Sequence, residues 1–228
     1  MALQLVIGNK NYSSWSMRPW VLMRGLGIDF EEVKLRFDFS EGSAFRQAVA
    51  RHSPARRVPI LVDDDGFAVW DSLAIVETLY ERFPLLGVWP ADAQQRARAR
   101  SFCAEMHAGF GALRSHCPMN IEASLPEVGA KLWAEQEAVR QDVQRIVTMW
   151  SDALDASDGP FLFGSFGAVD AYYAPVCMRL RTYALPVPAA LLAYIERVAA
   201  APGVKDWIED ALAEADFLDF EEPHRQQR

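Results

Sequence analysis

The chain has 228 residues, enough for one large domain or two modest ones. Hydrophobic residues make up 51% and charged residues 24%, the balance of an ordinary folded protein, and no apolar run approaches the roughly 18 residues needed to span a bilayer. The net charge of −8 and a pI of about 5.1 argue against nucleic acid as a partner, because a surface that tracks phosphates needs a basic excess.

Met1 to Gly8 shows neither a basic leader nor a long apolar core, so a cytoplasmic protein is expected. Cys103, Cys117 and Cys177 are odd in number and widely spaced, with no C-x-x-C pair, and read as free thiols in a reducing compartment. The four histidines, His52, His107, His116 and His224, lack ligand spacing, and no metal is expected.

In chain order, Leu3 to Ile7 reads as a short buried strand stopped by Gly8-Asn9. A helix follows, with Trp20, Val21, Leu22 and Leu26 as its apolar face and Gly27 at its end. Pro19 lacks an N–H and fits best in a first helical turn, which predicts a cap near Ser16. Glu31 to Leu35 predicts a second strand and Ser43 to Ala50 a short helix. Pro59 to Val62 and Phe67 to Trp70 predict two more strands around the turn Asp63-Asp64-Asp65-Gly66. Asp71-Ser72 then caps a helix faced by Leu73, Ile75, Val76, Leu79 and Tyr80. The order β-α-β-α-β-β-α over residues 1–84 matches a thioredoxin-like arrangement. Residues 85–92, with Gly87 and Pro90, read as a linker.

Residues 93–228 predict helices alone. One spans Ala93 to Cys117, stopped by Pro118. A long amphipathic helix spans Val128 to Leu154, with Leu132, Val139, Val143, Ile146, Trp150 and Leu154 on one face. Ala168 to Leu185, Ala189 to Ala200 and Val204 to Ala215 follow, and the polar tail after Phe220 is expected to fray.

Three stretches carry candidate chemistry. Ser13 and Ser14 lie just before the helix, where unpaired N–H groups and the dipole favour an anion; they also read as plain turn and capping residues. In Arg57-Val58-Pro59, the proline is either an edge-strand residue or a cis-proline that turns the backbone of Val58 towards a ligand. Asp71-Ser72 is either a helix cap or a clamp for an α-amino acid, the carboxylate taking the ammonium and the helix N–H groups taking the carboxylate.

Taken in this order, the three stretches resemble the glutathione S-transferase family. The pattern Val58-Pro59-x-Leu61 followed by Asp71-Ser72-x-Ala74-Ile75 carries most of the likeness, although family members often have Glu at position 71. Ser13-Ser14-Trp15-Ser16-x-Arg18 is similar to the serine-type zeta class, which has Cys where Trp15 stands. The resemblance implies an α/β thioredoxin-like N-terminal domain followed by an all-α C-terminal domain, and a homodimer. It implies that Ser13, or failing it Ser14, donates to the glutathione thiolate. Val58 would pair its backbone with the cysteinyl unit, Asp71 and Ser72 would hold the γ-glutamyl end, and Arg57 would help with the glycyl carboxylate. Met106, Phe110, Leu113 and Arg114 read either as lining for a second substrate or as core or dimer contacts. The implied activity is transfer of glutathione, as co-substrate, to an electrophilic small molecule. The alternatives are a glutathione-dependent isomerase (maleylacetoacetate isomerase-like) and a non-catalytic binding module. The lack of cysteine in the serine loop argues against thiol exchange. The family also carries Ser or Thr three residues before Asp170 as half of a reciprocal cap. Here Gly167 stands there, so Asp170 must cap by another partner.

Overall fold

The computed structural model describes residues 3–228; Met1 and Ala2, the first residues of the stretch expected to carry no leader, lie outside them. Four strands, β1 (Gln4–Ile7), β2 (Glu31–Lys34), β3 (Ile60–Val62) and β4 (Ala68–Trp70), form one sheet in the order β2-β1-β3-β4. β1 runs parallel to β2 and antiparallel to β3, and β3 is antiparallel to β4. Three helices belong to this half: α1 (Ser14–Gly25), α2 (Ala44–His52) and α3 (Ser72–Arg82).

After Gln4, β1 is aliphatic because both faces of the sheet are covered. Leu5, Ile7 and Leu61 enter a large core with α1 and α3, whereas Val6, Ile60 and Val62 enter a smaller one with Phe45 and Val49 of α2. The strand period of two sorts the residues between the faces.

The rest is helical: α4 (Ala93–Ala108), α5 (Gly111–His116), α6 (Pro126–Glu135), α7 (Glu137–Asp155), α8 (Ala168–Thr182), α9 (Ala189–Ala200) and α10 (Pro202–Glu214). α8 is buried along nearly its whole length and packs against α1, α4 and α9, so one apolar core runs through both halves. Among the described residues no helix is long and apolar enough to cross a membrane.

Four expectations change. The helix expected from Ala93 to Cys117 is two, because Gly109 is extended and Phe110 adopts a left-handed backbone (φ 55°). The helix expected from Val128 to Leu154 breaks at Gln136, where Arg140 Nη1 turns back to the carbonyls of Trp133 (2.5 Å) and Ala134 (3.1 Å) and satisfies the freed helix end. α1 begins at Ser14 rather than after Ser16, so Pro19 lies inside the helix; Ser13 closes the first turn by accepting the Met17 N–H at 3.0 Å. The tail does not fray. Glu222 is buried, accepting from the Tyr12 hydroxyl (2.7 Å) and Asn120 Nδ2 (2.9 Å) and pairing with Arg225.

Candidate active site

The sheet topology gathers the predicted stretches. Because β3 is antiparallel to both β1 and β4, the start of β3 meets the ends of the other two. The ladders end at the pairs Ile60–Trp70 and Val6–Ile60, so Val58, two residues before β3, lies at the end of the sheet where β4 runs into Asp71-Ser72 and β1 into Gly8. The Val58–Pro59 peptide is cis.

Ser13, Ser14, Arg57 and Val58 line one cavity of about 670 Å³, closed on its other side by Arg114 and Arg179 from the helical half and by Glu221 from the tail. Asp71 and Ser72 are at the same end of the sheet but outside this lining. A second cleft of about 730 Å³ between α4 and α7 contains none of the predicted site residues. Among the described residues no group of three His, Cys, Asp or Glu is placed to hold a metal ion.

The serines differ in what they already hold. Ser13 makes no side-chain capping bond; its hydroxyl donates to Ser16 Oγ at 2.8 Å. Ser16 Oγ also accepts the Gly8 N–H at 3.2 Å, which ties this loop to the end of β1. Ser14 Oγ accepts from Arg179 Nη2 at 3.4 Å, and its own proton meets no acceptor among the described residues.

Three arginines surround this corner, and none is among the ion pairs of the described residues. Arg179, only 5% exposed, donates from Nε to the Cys117 carbonyl at 2.8 Å. Burial, with repulsion from Arg18 and Arg114, lowers its pKa to about 9. Arg18 is buried over the rings of Trp15 (3.9 Å) and Tyr172 (4.6 Å), and its Nε and Nη1 have no hydrogen-bond partner. Burial lowers its pKa to about 10. Arg114 also lies over Trp15, at 4.8 Å. Cation–aromatic contact replaces part of the lost hydration.

At the start of α3, Asp71 has φ 74°, an uncommon conformation for a residue with a side chain and one that concentrates at functional sites. Its Oδ1 accepts the Leu73 N–H at 2.9 Å, and its Oδ2 lies 3.4 Å from His107 Nε2. Ser72 Oγ is 2.6 Å from the Tyr172 hydroxyl, itself 3.1 Å from His107 Nδ1. A chain of four side chains, Asp71, His107, Tyr172 and Ser72, therefore joins the start of α3 to α4 and α8.

Asp170 does find other partners. Besides the Gly167 N–H (3.1 Å), it accepts the Leu162 N–H (3.2 Å) and the Tyr194 hydroxyl (2.8 Å). Of the four residues read as a possible second-substrate wall, Arg114 lines the cavity, while Met106, Phe110 and Leu113 belong to the core. Local sequence reading passed over Arg179 and His107. An arginine between Met178 and Leu180, in the largely apolar run of a helix fit for burial, is the signal that marks Arg179.

Residues 12–82 match the model of the glutathione S-transferase N-terminal domain, and residues 134–210 match that of the C-terminal domain. The chain belongs to the glutathione S-transferase family. Over 143 residues it is 30% identical to a mouse protein named maleylacetoacetate isomerase, covering 63% of this chain and 60% of that one. A Pseudomonas aeruginosa protein of the same name is 26% identical over 170 residues, covering 73% of this chain and 76% of the other. The crystal structure of a Burkholderia glutathione transferase homologue with bound glutathione superposes with a TM-score of 0.70 at 26% identity, covering 95% of this chain and all of that one.

Proposed function

We propose that this protein is a glutathione transferase, joining the glutathione thiolate to an electrophilic small molecule bound in the cavity of about 670 Å³. The observation that carries this reading is that Ser13 and Ser14, at a helix start, and Val58 line one cavity. In this reading Val58 pairs with the cysteinyl unit, Asp71 takes the γ-glutamyl ammonium, and the start of α3 at Ser72 takes its carboxylate. Arg57 faces the glycyl carboxylate. Binding of glutathione in the Burkholderia neighbour supports the assignment.

The chemistry needs a thiolate. A free thiol titrates near pH 8.5, and lowering that by about two units takes roughly 2.7 kcal/mol. A hydroxyl donor to a charged acceptor contributes roughly 1.5–3 kcal/mol and the helix N-terminus about 0.3–1. Together these are sufficient without a metal or a separate base. Because the Ser13 proton is already given to Ser16, Ser14 is the better placed donor.

Titration calorimetry with glutathione and assay of 1-chloro-2,4-dinitrobenzene conjugation test the reading. Micromolar to millimolar binding with measurable turnover is expected; absence of both overturns it. The isomerase named in the relatives uses the same thiolate but returns glutathione, so net glutathione consumption separates the two activities.

We further propose a cytoplasmic homodimer. The exposed Phe67 and Trp70 on or beside the edge strand β4 support an interface there, and the buried free Cys103, Cys117 and Cys177 suit a reducing compartment. Light scattering that returns the single-chain mass, 25.6 kDa, contradicts the dimer.

A further inference from the structure

We propose that Arg179 is a positioning residue which, through Ser14, turns a hydroxyl proton towards the cavity and favours the thiolate over the thiol. The inference rests on the glutathione reading above.

Its geometry is specific. Arg179 comes from α8, far along the chain, yet its Nη2 reaches Ser14 Oγ at 3.4 Å. The guanidinium is held from behind, Nε donating to the Cys117 carbonyl at 2.8 Å. An arginine has donors only, so the serine oxygen must accept and its O–H is left to point elsewhere. Ser14 and Arg179 both line the cavity. Arg179 is 5% exposed and has no carboxylate partner among the described residues, a costly state for a charge unless something negative arrives. A thiolate beside Ser14 is such a charge. On ionisation the S–H bond breaks, the proton leaves to solvent, and the sulfur keeps the electron pair and accepts the Ser14 hydrogen bond.

The other charged and titratable groups around this pair do not supply the missing anion. Arg18 and Arg114 add positive charge, and burial holds the Cys117 thiol and the Tyr183 hydroxyl in their neutral forms. Tyr12 on the cavity wall is pushed up to about 12 by burial and its bond to Glu222. Glu221, at the tail side of the wall, is raised by burial and by Glu222, and it forms no ion pair among the described residues.

The test is the pH dependence of conjugation with the neutral 1-chloro-2,4-dinitrobenzene in the full-length protein. Arg179→Met and Ser14→Ala are each expected to raise the pH midpoint by about one unit, in line with a lost hydrogen bond to a charged sulfur. Glutathione affinity at saturating pH is expected to stay within about threefold. The double variant is expected to shift no further than the larger single one, because both act on one hydroxyl. Arg179→Lys, which keeps the charge, is expected to recover part of the shift. A folded Arg179→Met protein with the wild-type midpoint overturns the proposal, and so do additive shifts. If Arg179→Met does not fold, Ser14→Ala decides, and an unchanged midpoint there overturns it as well. Failure of the wild type to bind glutathione would instead refute the functional reading itself, and calorimetry detects that separately.

Discussion

Two aspartates stand at helix starts, Asp71 before α3 and Asp170 in the first turn of α8, and the fold treats them in opposite ways. Asp170 is buried, 1% exposed as a residue, and both its oxygens are occupied by two backbone N–H groups and the Tyr194 hydroxyl. The Asp71 side chain is 47% exposed, with one capping bond to Leu73 and a longer contact to His107. In sequence both look like helix caps. What separates a structural carboxylate from one available to a ligand is how many of its lone pairs the fold has already committed.

Asp170→Ala should have the largest effect. It strands the Leu162 and Gly167 N–H groups and the Tyr194 hydroxyl inside the core, at a cost of roughly 3 kcal/mol or more. Thermal unfolding measures this, and a loss below about 1 kcal/mol would break the contrast.

Asp71→Asn should leave the melting temperature nearly unchanged and weaken glutathione binding about tenfold. A charge-assisted bond is worth roughly 1.5–3 kcal/mol, and the half-exposed position puts the value at the low end. Equal affinity of the two proteins by calorimetry would make Asp71 a cap like any other.

Ser13→Ala removes a hydroxyl that the fold already uses, its bond to Ser16. It should cost about 1 kcal/mol of stability and shift the conjugation midpoint less than Ser14→Ala does. The reverse ranking would restore Ser13, five residues before Arg18, as the thiol's donor.

The smallest effect concerns Gly167. Its φ of −153° is extended and suits any residue, so serine is not excluded by backbone conformation. An added Cβ would, however, lie 3.2 Å from the Val88 carbonyl, which accepts the Ala168 N–H. Gly167→Ser should therefore gain only a few tenths of a kcal/mol. A gain near 1 kcal/mol would show that the Val88 segment yields easily.

The thioredoxin-like half was legible because β1, β3 and β4 are short, mostly apolar runs and the chain is punctuated by Gly8, Gly27, Gly66 and the Asp71-Ser72 cap, all local signals. The helical half was legible in kind but not in its breaks. Gly109 and Gly111 around Phe110 are a local breaker signal that the apolar pattern outweighed, whereas Gln136 carries no turn chemistry and Arg140, which completes the break there, acts from the following helix. The site divides in the same way. Ser13, Ser14, Arg57 and Val58 adjoin strand ends and were found, whereas Arg179 meets Ser14 across 165 residues of chain. No local window contains that pair. The placement of α1 failed for a related reason: Pro19 was read by its preference for a first turn, while packing of α1 against α8 and α10 holds the helix together around it.

Trp15 stands where the zeta class has cysteine, on the cavity wall and beneath the guanidinium groups of Arg18 and Arg114. Of the seven tryptophans, Trp20, Trp89, Trp150 and Trp207 are sealed in the interior. An indole flanked by cations emits according to where those cations sit, and Arg114 lines the same cavity, so a bound molecule is expected to change the emission of Trp15. Quenching of intrinsic fluorescence on adding glutathione would then follow occupancy without dye, label or turnover, over a background from the exposed Trp70 and half-buried Trp133.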